Sequence, residues 1–160
     1  ATRFGIAYQI TEGQDLKFFE DNIVMGRKFC NKLWNASRFV LMQTTDLPIS
    51  EIPQNSEGFR KSLIVKKLNQ TIKSVNKNLE NFEFGQAAHT LYDFFWHDFC
   101  DVYIEEAKKQ NSDESKKILL YVLSTSLKLL HPIIPFITEE IYQKLPIKDK
   151  KPLIIEEWPK

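Results

Sequence analysis

The chain has 160 residues, of which 42% are hydrophobic and 27% charged, and its formal net charge is +1. This length suits one domain with a hydrophobic core, and the composition is that of a globular protein without repeats or low-complexity tracts. The longest apolar stretch, residues 118–130, is interrupted by serine, threonine and lysine, which argues against a membrane span. Neither of the two cysteines stands in metal-ligand spacing, so we expect reduced thiols and a cytoplasmic protein.

Apolar periodicity and turn residues divide the first half of the chain into helices and connections. In chain order we predict the end of a helix at 1–9, a turn at 12–15 and a long helix at 20–43. A loop marked by two prolines follows at 44–58, and a second full helix at 59–80. Asp21 or Asn22 would cap the long helix.

The second half is predicted to be helical almost throughout. A third helix spans about 83–109, a fourth 113–130 and a fifth 135–145. Ser112 would cap the fourth helix, which is apolar around most of its circumference and is therefore expected at the centre. Helices with short connections and no strand signal indicate an all-α bundle of four to five helices.

Charge is segregated along the chain although the total is nearly neutral. Residues 60–77 contain six cations and no acid, whereas residues 79–106 contain seven acids and no lysine or arginine. Such asymmetry can orient a polyanion on the surface. Alternatively, acidic and basic helices simply pair with each other.

The stretch RKFCNKLWNASRFVLM, residues 27–42, carries four basic residues and no acidic one. On a helical wheel the apolar and small side chains form one seam: Ile23, Gly26, Cys30, Leu33, Ser37 and Val40. Phe39 falls on the opposite, polar side, whereas Trp34 borders the seam. The wheel therefore predicts one large aromatic ring far from the core.

An aromatic ring among amides and cations has a specific chemical use. Single-stranded RNA loops are recognised by bases that stack on aromatic rings, while amides contact base edges and cations hold phosphates. Phe39 would then stack on a base, and its polar neighbours would make the other contacts: Lys28, Asn31, Lys32, Asn35 and Arg38. The alternative is that Phe39 packs against another helix or domain and the charges form a solvated face.

No catalytic constellation is evident in the sequence. Asp98 falls on the apolar face of the third predicted helix, where we expect a carboxylate paired with a cation or a Trp N–H. His89 and His97 are eight residues apart with no third metal ligand in sight, and His131 follows a helix end, where a structural role is expected. No glycine-rich phosphate loop is present, so no cofactor site is predicted in this chain.

The helix FCNKLWNASRFVL, residues 29–41, resembles the signature helix at the start of the anticodon-binding domain of valyl-tRNA synthetases. The resemblance extends over essentially the whole chain in the same order, through four further stretches: TRFGIAYQITEGQD (2–15), LNQTIKSVNKNLENFEFGQAAHTLYDFFWHDFCDVYIEEAK (68–108), LLHPIIPFITEEIYQKL (129–145) and EEWP (156–159). Isoleucyl and leucyl synthetases share the bundle and a version of HPIIPFITEEIY, but NKLWNASRFVL and the GQD turn look like the valyl branch.

The resemblance implies a fragment of a class I synthetase that joins valine to its tRNA, with ATP and Mg used by the full-length enzyme. Residues 1–15 would lead out of the catalytic domain, and residues 16–160 would form the anticodon-binding bundle. The residue that matches Phe39 is expected to stack on an anticodon base. Asp21 departs from the basic residue that relatives often carry there, so an RNA contact at that position is not supported.

The implied partners are the tRNA for valine and the catalytic domain of the same chain, with no membrane and a monomeric state. Lys66 and Lys73 are further candidates for contacts to stem phosphates, and the acidic third helix would face away or pair internally. Two alternatives remain open: the anticodon-binding domain of an isoleucyl-tRNA synthetase, and a helical protein-interaction bundle without RNA binding.

Overall fold

The computed structural model describes residues 1–10, 19–45, 47 and 56–160, which contain helices and no strand. The elements are α1 (Thr2–Gln9), α2 (Glu20–Thr44), α3 (Glu57–Lys61), α4 (Leu63–Glu80), α5 (Phe84–Asp93), a π-helical segment (Phe94–Tyr103), α6 (Ile104–Gln110), α7 (Asp113–Leu130), α8 (Pro135–Lys144) and a 3₁₀ turn (Leu153–Ile155). The all-α class is confirmed. The turn predicted at 12–15 and most of the loop at 44–58 fall outside the described residues.

Two predicted helices are subdivided in the structure. The helix expected over 59–80 is interrupted at Ser62, so that α3 and α4 form separate elements. The helix expected over 83–109 runs through α5, the π-helical segment and α6 without a break in the helical path. This composite is called the long acidic helix below.

Four long elements surround the core: α2, α4, the long acidic helix and α7. Both α2 and α4 pack on α7 and on the π-helical segment, and they make little contact with each other, so they occupy opposite corners of the bundle. The prediction that α7 is central is confirmed, because its apolar residues from Ile118 to Leu130 are buried apart from the half-buried Tyr121. Ser112 caps α7 as predicted, through a reciprocal pair of hydrogen bonds with Ser115.

The first helix is an integral part of this core. Phe4 is fully buried and its ring stacks on Phe29 of α2, with ring centroids 4.2 Å apart. At the crossing, a Cβ added to Gly5 would lie 2.8 Å from the carbonyl carbon of Asn22, and one added to Gly26 would lie 3.0 Å from the amide nitrogen of Gly5. The absence of a side chain at Gly26, a member of the predicted seam, thus allows α1 to approach α2 closely.

The C-terminal residues return along the bundle. The indole N–H of Trp158 donates to the side-chain oxygen of Asn76 on α4 at 2.7 Å, and Lys128 of α7 pairs with Glu156 at 2.9 Å. None of the described helices combines the length and apolarity that a membrane crossing requires.

Candidate nucleic-acid interface

The outward face of α2 carries most of the polar side chains that the sequence singles out. Lys28, Asn31, Asn35 and Arg38 are exposed there. Of the predicted seam, Gly26, Leu33, Ser37 and Val40 are buried, and Ile23 and Cys30 are half-buried. The structure therefore brings four of the six predicted α2 residues together on one solvent-facing stripe.

The core-facing stripe of α2 is rotated relative to the wheel. Phe29 and Ala36, which the seam omits, are buried, whereas Cys30 is only half-buried. Because each helical residue turns by about 100°, these positions shift the centre of the stripe by about 40° toward Phe39. The bulky Phe29 determines this orientation, since its ring fills the space between α1 and the long acidic helix.

Phe39 consequently lies at the edge of the core and not far from it, which corrects the wheel-based placement. Its ring is half-buried and packs against the hydrophobic cluster. The ammonium of Lys108, from α6, lies 5.2 Å from the ring centroid, within the range of a cation–π contact. Phe39 thus packs on the bundle with part of its ring. Among the described residues, the side chain that lies over the rest of the ring is that of Lys108.

Lys32 differs from the other cations of α2 because it is paired. Its ammonium lies 2.8 Å from a carboxylate oxygen of Asp101 and 5.1 Å from the ring centroid of Trp96. The hydrogen bond to Asp101 raises the pKa of Lys32, although burial opposes the shift. Lys32 therefore fixes α2 to the long acidic helix, and its charge is partly neutralised at the surface.

Trp34 is half-buried and packed against the core, as predicted from its position beside the seam. The ammonium of Lys144, from α8, lies 5.0 Å from its ring centroid. Lys108 and Lys144 were missed in the sequence because they reach α2 from helices far along the chain. The sequence shows that both residues are lysines, but no periodicity along the chain indicates that they contact Phe39 and Trp34.

The structure does not place Lys66 and Lys73 with the α2 residues. Both are exposed on α4, at the corner of the bundle opposite α2. Lys67, their neighbour, pairs with Asp98 of the long acidic helix. The expected pairing of Asp98 with a cation is confirmed, although its side chain is 31% exposed and not fully buried.

The histidines take part in packing and hydrogen bonding. The rings of His89 and Tyr8 lie 3.7 Å apart between centroids, and His131 is 2.9 Å from the hydroxyl of Thr138. Burial lowers the pKa of His131, against an opposing effect of the Glu139 charge. Within the described ranges no group of three potential metal ligands comes together.

Burial raises the pKa of Cys100 to about 12, which keeps this thiol protonated.

Comparison with known proteins gives a consistent assignment. Residues 61–160 match the family model described as the anticodon-binding domain of tRNA ligase. The chain is 42% identical to the valine–tRNA ligase of Bacillus cereus (strain ATCC 10987 / NRS 248), over 99% of this chain and 19% of that protein. It is 39% identical to the valine–tRNA ligase of Aquifex aeolicus (strain VF5), over 99% of this chain and 15% of that protein. The chain thus spans about a fifth or less of the length of the curated relatives it matches.

The fold has a counterpart among solved structures. A LeuRS from Agrobacterium radiobacter K84, solved as a ternary complex with tRNA and LeuAMS, superposes with a TM-score of 0.78, over 98% of this chain and 19% of that one. The sequences are 19% identical, so this likeness shows the fold alone. An interaction bundle unrelated to tRNA is not favoured by these matches, nor is the isoleucyl alternative. Since the family model covers well over half of the chain, the protein belongs to the family of anticodon-binding domains of tRNA ligases.

Proposed function

We propose that this chain recognises the anticodon of the tRNA for valine, as part of a valine–tRNA ligase. The observation that carries the proposal is the outward face of α2, where exposed amides and cations border a half-exposed aromatic ring. The relatives named valine–tRNA ligase support the amino-acid specificity, since their similarity extends over nearly the whole chain. Recognition of unpaired bases needs this combination of π surface, hydrogen-bonding groups and positive charge.

Each residue of α2 has a role that its position supports. Phe39 stacks on an anticodon base, because its half-buried ring packs on the core and lies under the flexible side chain of Lys108, not under another helix. Asn31 and Asn35 are four residues apart on the exposed stripe, and their amides contact base edges. Lys28 and Arg38 hold phosphates. Lys32 contributes mainly by fixing α2 to Asp101, and adds charge at the border of the surface.

Lys66 and Lys73 remain candidates for phosphate contacts, but with a different part of the tRNA from the anticodon loop. Because α4 lies at the opposite corner from α2, the bundle separates these lysines from the exposed stripe of α2. Any contact of these lysines is therefore with a separate part of the tRNA, such as the stem. Replacing them should change the salt dependence of tRNA binding without changing discrimination between anticodons.

The chemistry of ligation is assigned to the rest of a ligase-length protein. ATP and Mg would be bound there, and the catalytic domain would be the intramolecular partner of this bundle. Residues 1–15 would lead out of that domain, although α1 itself packs into the bundle core through Phe4. We further propose a cytoplasmic, monomeric protein.

Binding of tRNA transcripts to wild type and Phe39→Ala tests the proposal. Loss of a stacked base costs about 1–3 kcal/mol, so the variant should bind valine tRNA roughly 5- to 150-fold more weakly. For wild type, the logarithm of affinity should fall linearly with the logarithm of salt concentration. Phe136→Ala is the matched control, since Phe136 is 86% exposed on α8 near α1 and its loss should leave binding unchanged.

Three results would oppose the proposal. Equal binding by wild type and Phe39→Ala, with a lowered melting temperature, would assign Phe39 to packing alone. Tighter binding of isoleucine tRNA than of valine tRNA would move the specificity to another branch of the family. Absence of salt-dependent tRNA binding would favour a protein-interaction bundle.

A further inference from the structure

Among the residues that the structure describes, Lys108 is the charged side chain that lies over the Phe39 ring. Lys108 lies with its ammonium 5.2 Å from the ring centroid, and the same ammonium is 2.6 Å from a carboxylate oxygen of Glu105. The Lys108 side chain is 45% exposed and that of Glu105 57% exposed. The cover is therefore held by one cation–π contact and one surface ion pair, both of which are weak in water.

This arrangement is incompatible with a base stacked on the covered side of the ring. Stacked aromatic groups place their ring centroids about 4.5–7 Å apart, and an ammonium 5.2 Å from the centroid stands inside that space. A base can reach this face only if Lys108 moves. A lysine has a long flexible stem and its partner Glu105 is on the same helix, so the ammonium can swing aside without any change in the helices.

We propose that Lys108 is a displaceable cover of Phe39, which leaves the ring when a base stacks there and pairs with a backbone phosphate next to that base. This inference rests on the proposed function, because it requires that Phe39 stacks on RNA. The ammonium begins beside the ring, so after displacement it lies near the sugar and phosphate of the stacked nucleotide. Lys108 then shields the Phe39 ring from water in the free protein and neutralises a phosphate in the complex.

The consequence for binding follows from counting charges. Each phosphate neutralised by a lysine adds about 0.7 to the slope of log affinity against log salt for a single strand. Lys108→Met keeps a flexible apolar stem over Phe39 but removes the charge. It should lower the slope by about 0.7 and weaken binding roughly three- to tenfold at low salt, with convergence toward wild type at high salt. Lys108→Arg keeps the charge and should restore both quantities.

The matched control is Lys77→Met, which removes one exposed lysine from the end of α4 that leads into α5, remote from Phe39. Its salt slope should equal that of wild type. A second measurement follows the cover directly in solution. The ε-protons of Lys108 should show an upfield ring-current shift in free protein, absent in Phe39→Ala, and that shift should disappear when the valine tRNA anticodon stem-loop is added.

The outcomes separate this inference from the proposed function. If Phe39→Ala weakens binding but Lys108→Met matches Lys77→Met, the role of Lys108 is overturned and the stacking role of Phe39 stands. Unchanged Lys108 ring-current shifts in a saturated complex would overturn displacement, and tighter binding by Lys108→Met would overturn the phosphate contact. Identical binding by Phe39→Ala and wild type, or no specific binding at all, would overturn both.

Discussion

At the scale of single residues, Phe82 adopts a backbone conformation that side chains with a Cβ usually avoid. It follows the end of α4 with a φ of 62°, where Glu83 N–H bonds to the carbonyl of Asn78 and Phe82 N–H to that of Leu79. This hydrogen-bond pattern normally has glycine in the left-handed position. Phe82 is 76% exposed, so packing of its ring contributes little to the free energy of unfolding.

Phe82→Gly should therefore raise the free energy of unfolding by about 1 kcal/mol, because glycine adopts the left-handed conformation without steric cost. Urea unfolding at equilibrium is the appropriate measurement. Asn81→Gly provides the comparison, since Asn81 has a φ of −87° and glycine there brings no steric relief. Equal stabilisation by both variants would contradict the conformational explanation.

At the scale of elements, the crossing of α1 and α2 depends on the absence of two side chains. A Cβ at Gly5 would meet the backbone of Asn22, which cannot move without separating the helices. Gly5→Ala should destabilise the protein by about 1–3 kcal/mol, as overpacking usually does.

Gly58→Ala serves as the control for this element, because the atoms that its Cβ would meet are the carboxylate end of Glu114, which can rotate away. We expect no loss of stability there, since alanine also favours the α3 helix. Thermal unfolding of the two variants should differ by several degrees. A similar Tm for both would show that α1 is easily displaced from α2.

Helix positions could be predicted from sequence wherever local signals mark their ends. Ser112 before an apolar run located α7, and α8 begins at Pro135, a residue that is favoured in the first helical turn. The interruption at Ser62 is marked only by a serine whose side chain makes no capping hydrogen bond, and the π-helical segment, which packs on α2 and α4, has no local marker. The rotation of α2 was missed for a related reason: small residues suggested the seam, whereas the large ring of Phe29 sets it.

At the scale of the whole molecule, Glu156 connects the C-terminal tail to the bundle through its ion pair with Lys128 of α7. Burial alone would raise the pKa of Glu156, but the Lys151 backbone N–H and the charge and hydrogen bond of Lys128 outweigh it and lower the pKa below its ordinary value of 4.5. A carboxylate with a lowered pKa stabilises the fold above pH 4.5, and this contribution is lost as pH falls through its folded-state pKa.

Glu156→Gln should lower the free energy of unfolding by about 1–3 kcal/mol at pH 7, and the difference from wild type should shrink below pH 4.5. Urea unfolding at pH 7, 5 and 3 measures this. Glu157→Gln, at the exposed neighbouring position, should show no such effect. A gap between wild type and Glu156→Gln that stays constant with pH would mean that the ionised carboxylate is not what fastens the tail.

The candidate site was only partly accessible from sequence, for a reason that belongs to the whole bundle. The stripe of Lys28, Asn31, Asn35 and Arg38 follows from one helix period and could be predicted. Asp101, which engages Lys32, and Lys108, which covers Phe39, come from a helix about 70 residues away along the chain. Contacts of that kind depend on which helices are neighbours, and helical periodicity does not specify this.

The unbroken length of α2 gives the molecule a mechanical property. Its 25 residues form a rod about 37 Å long, and Phe39 lies about 20 Å from the Gly26 crossing. By geometry alone, a change of about 3° in the tilt between α1 and α2 would move the Phe39 ring by about 1 Å at this helical rise. Gly5 and Gly26, which are not among the residues proposed to contact RNA, therefore contribute to the position of Phe39, the residue that is proposed to stack on a base.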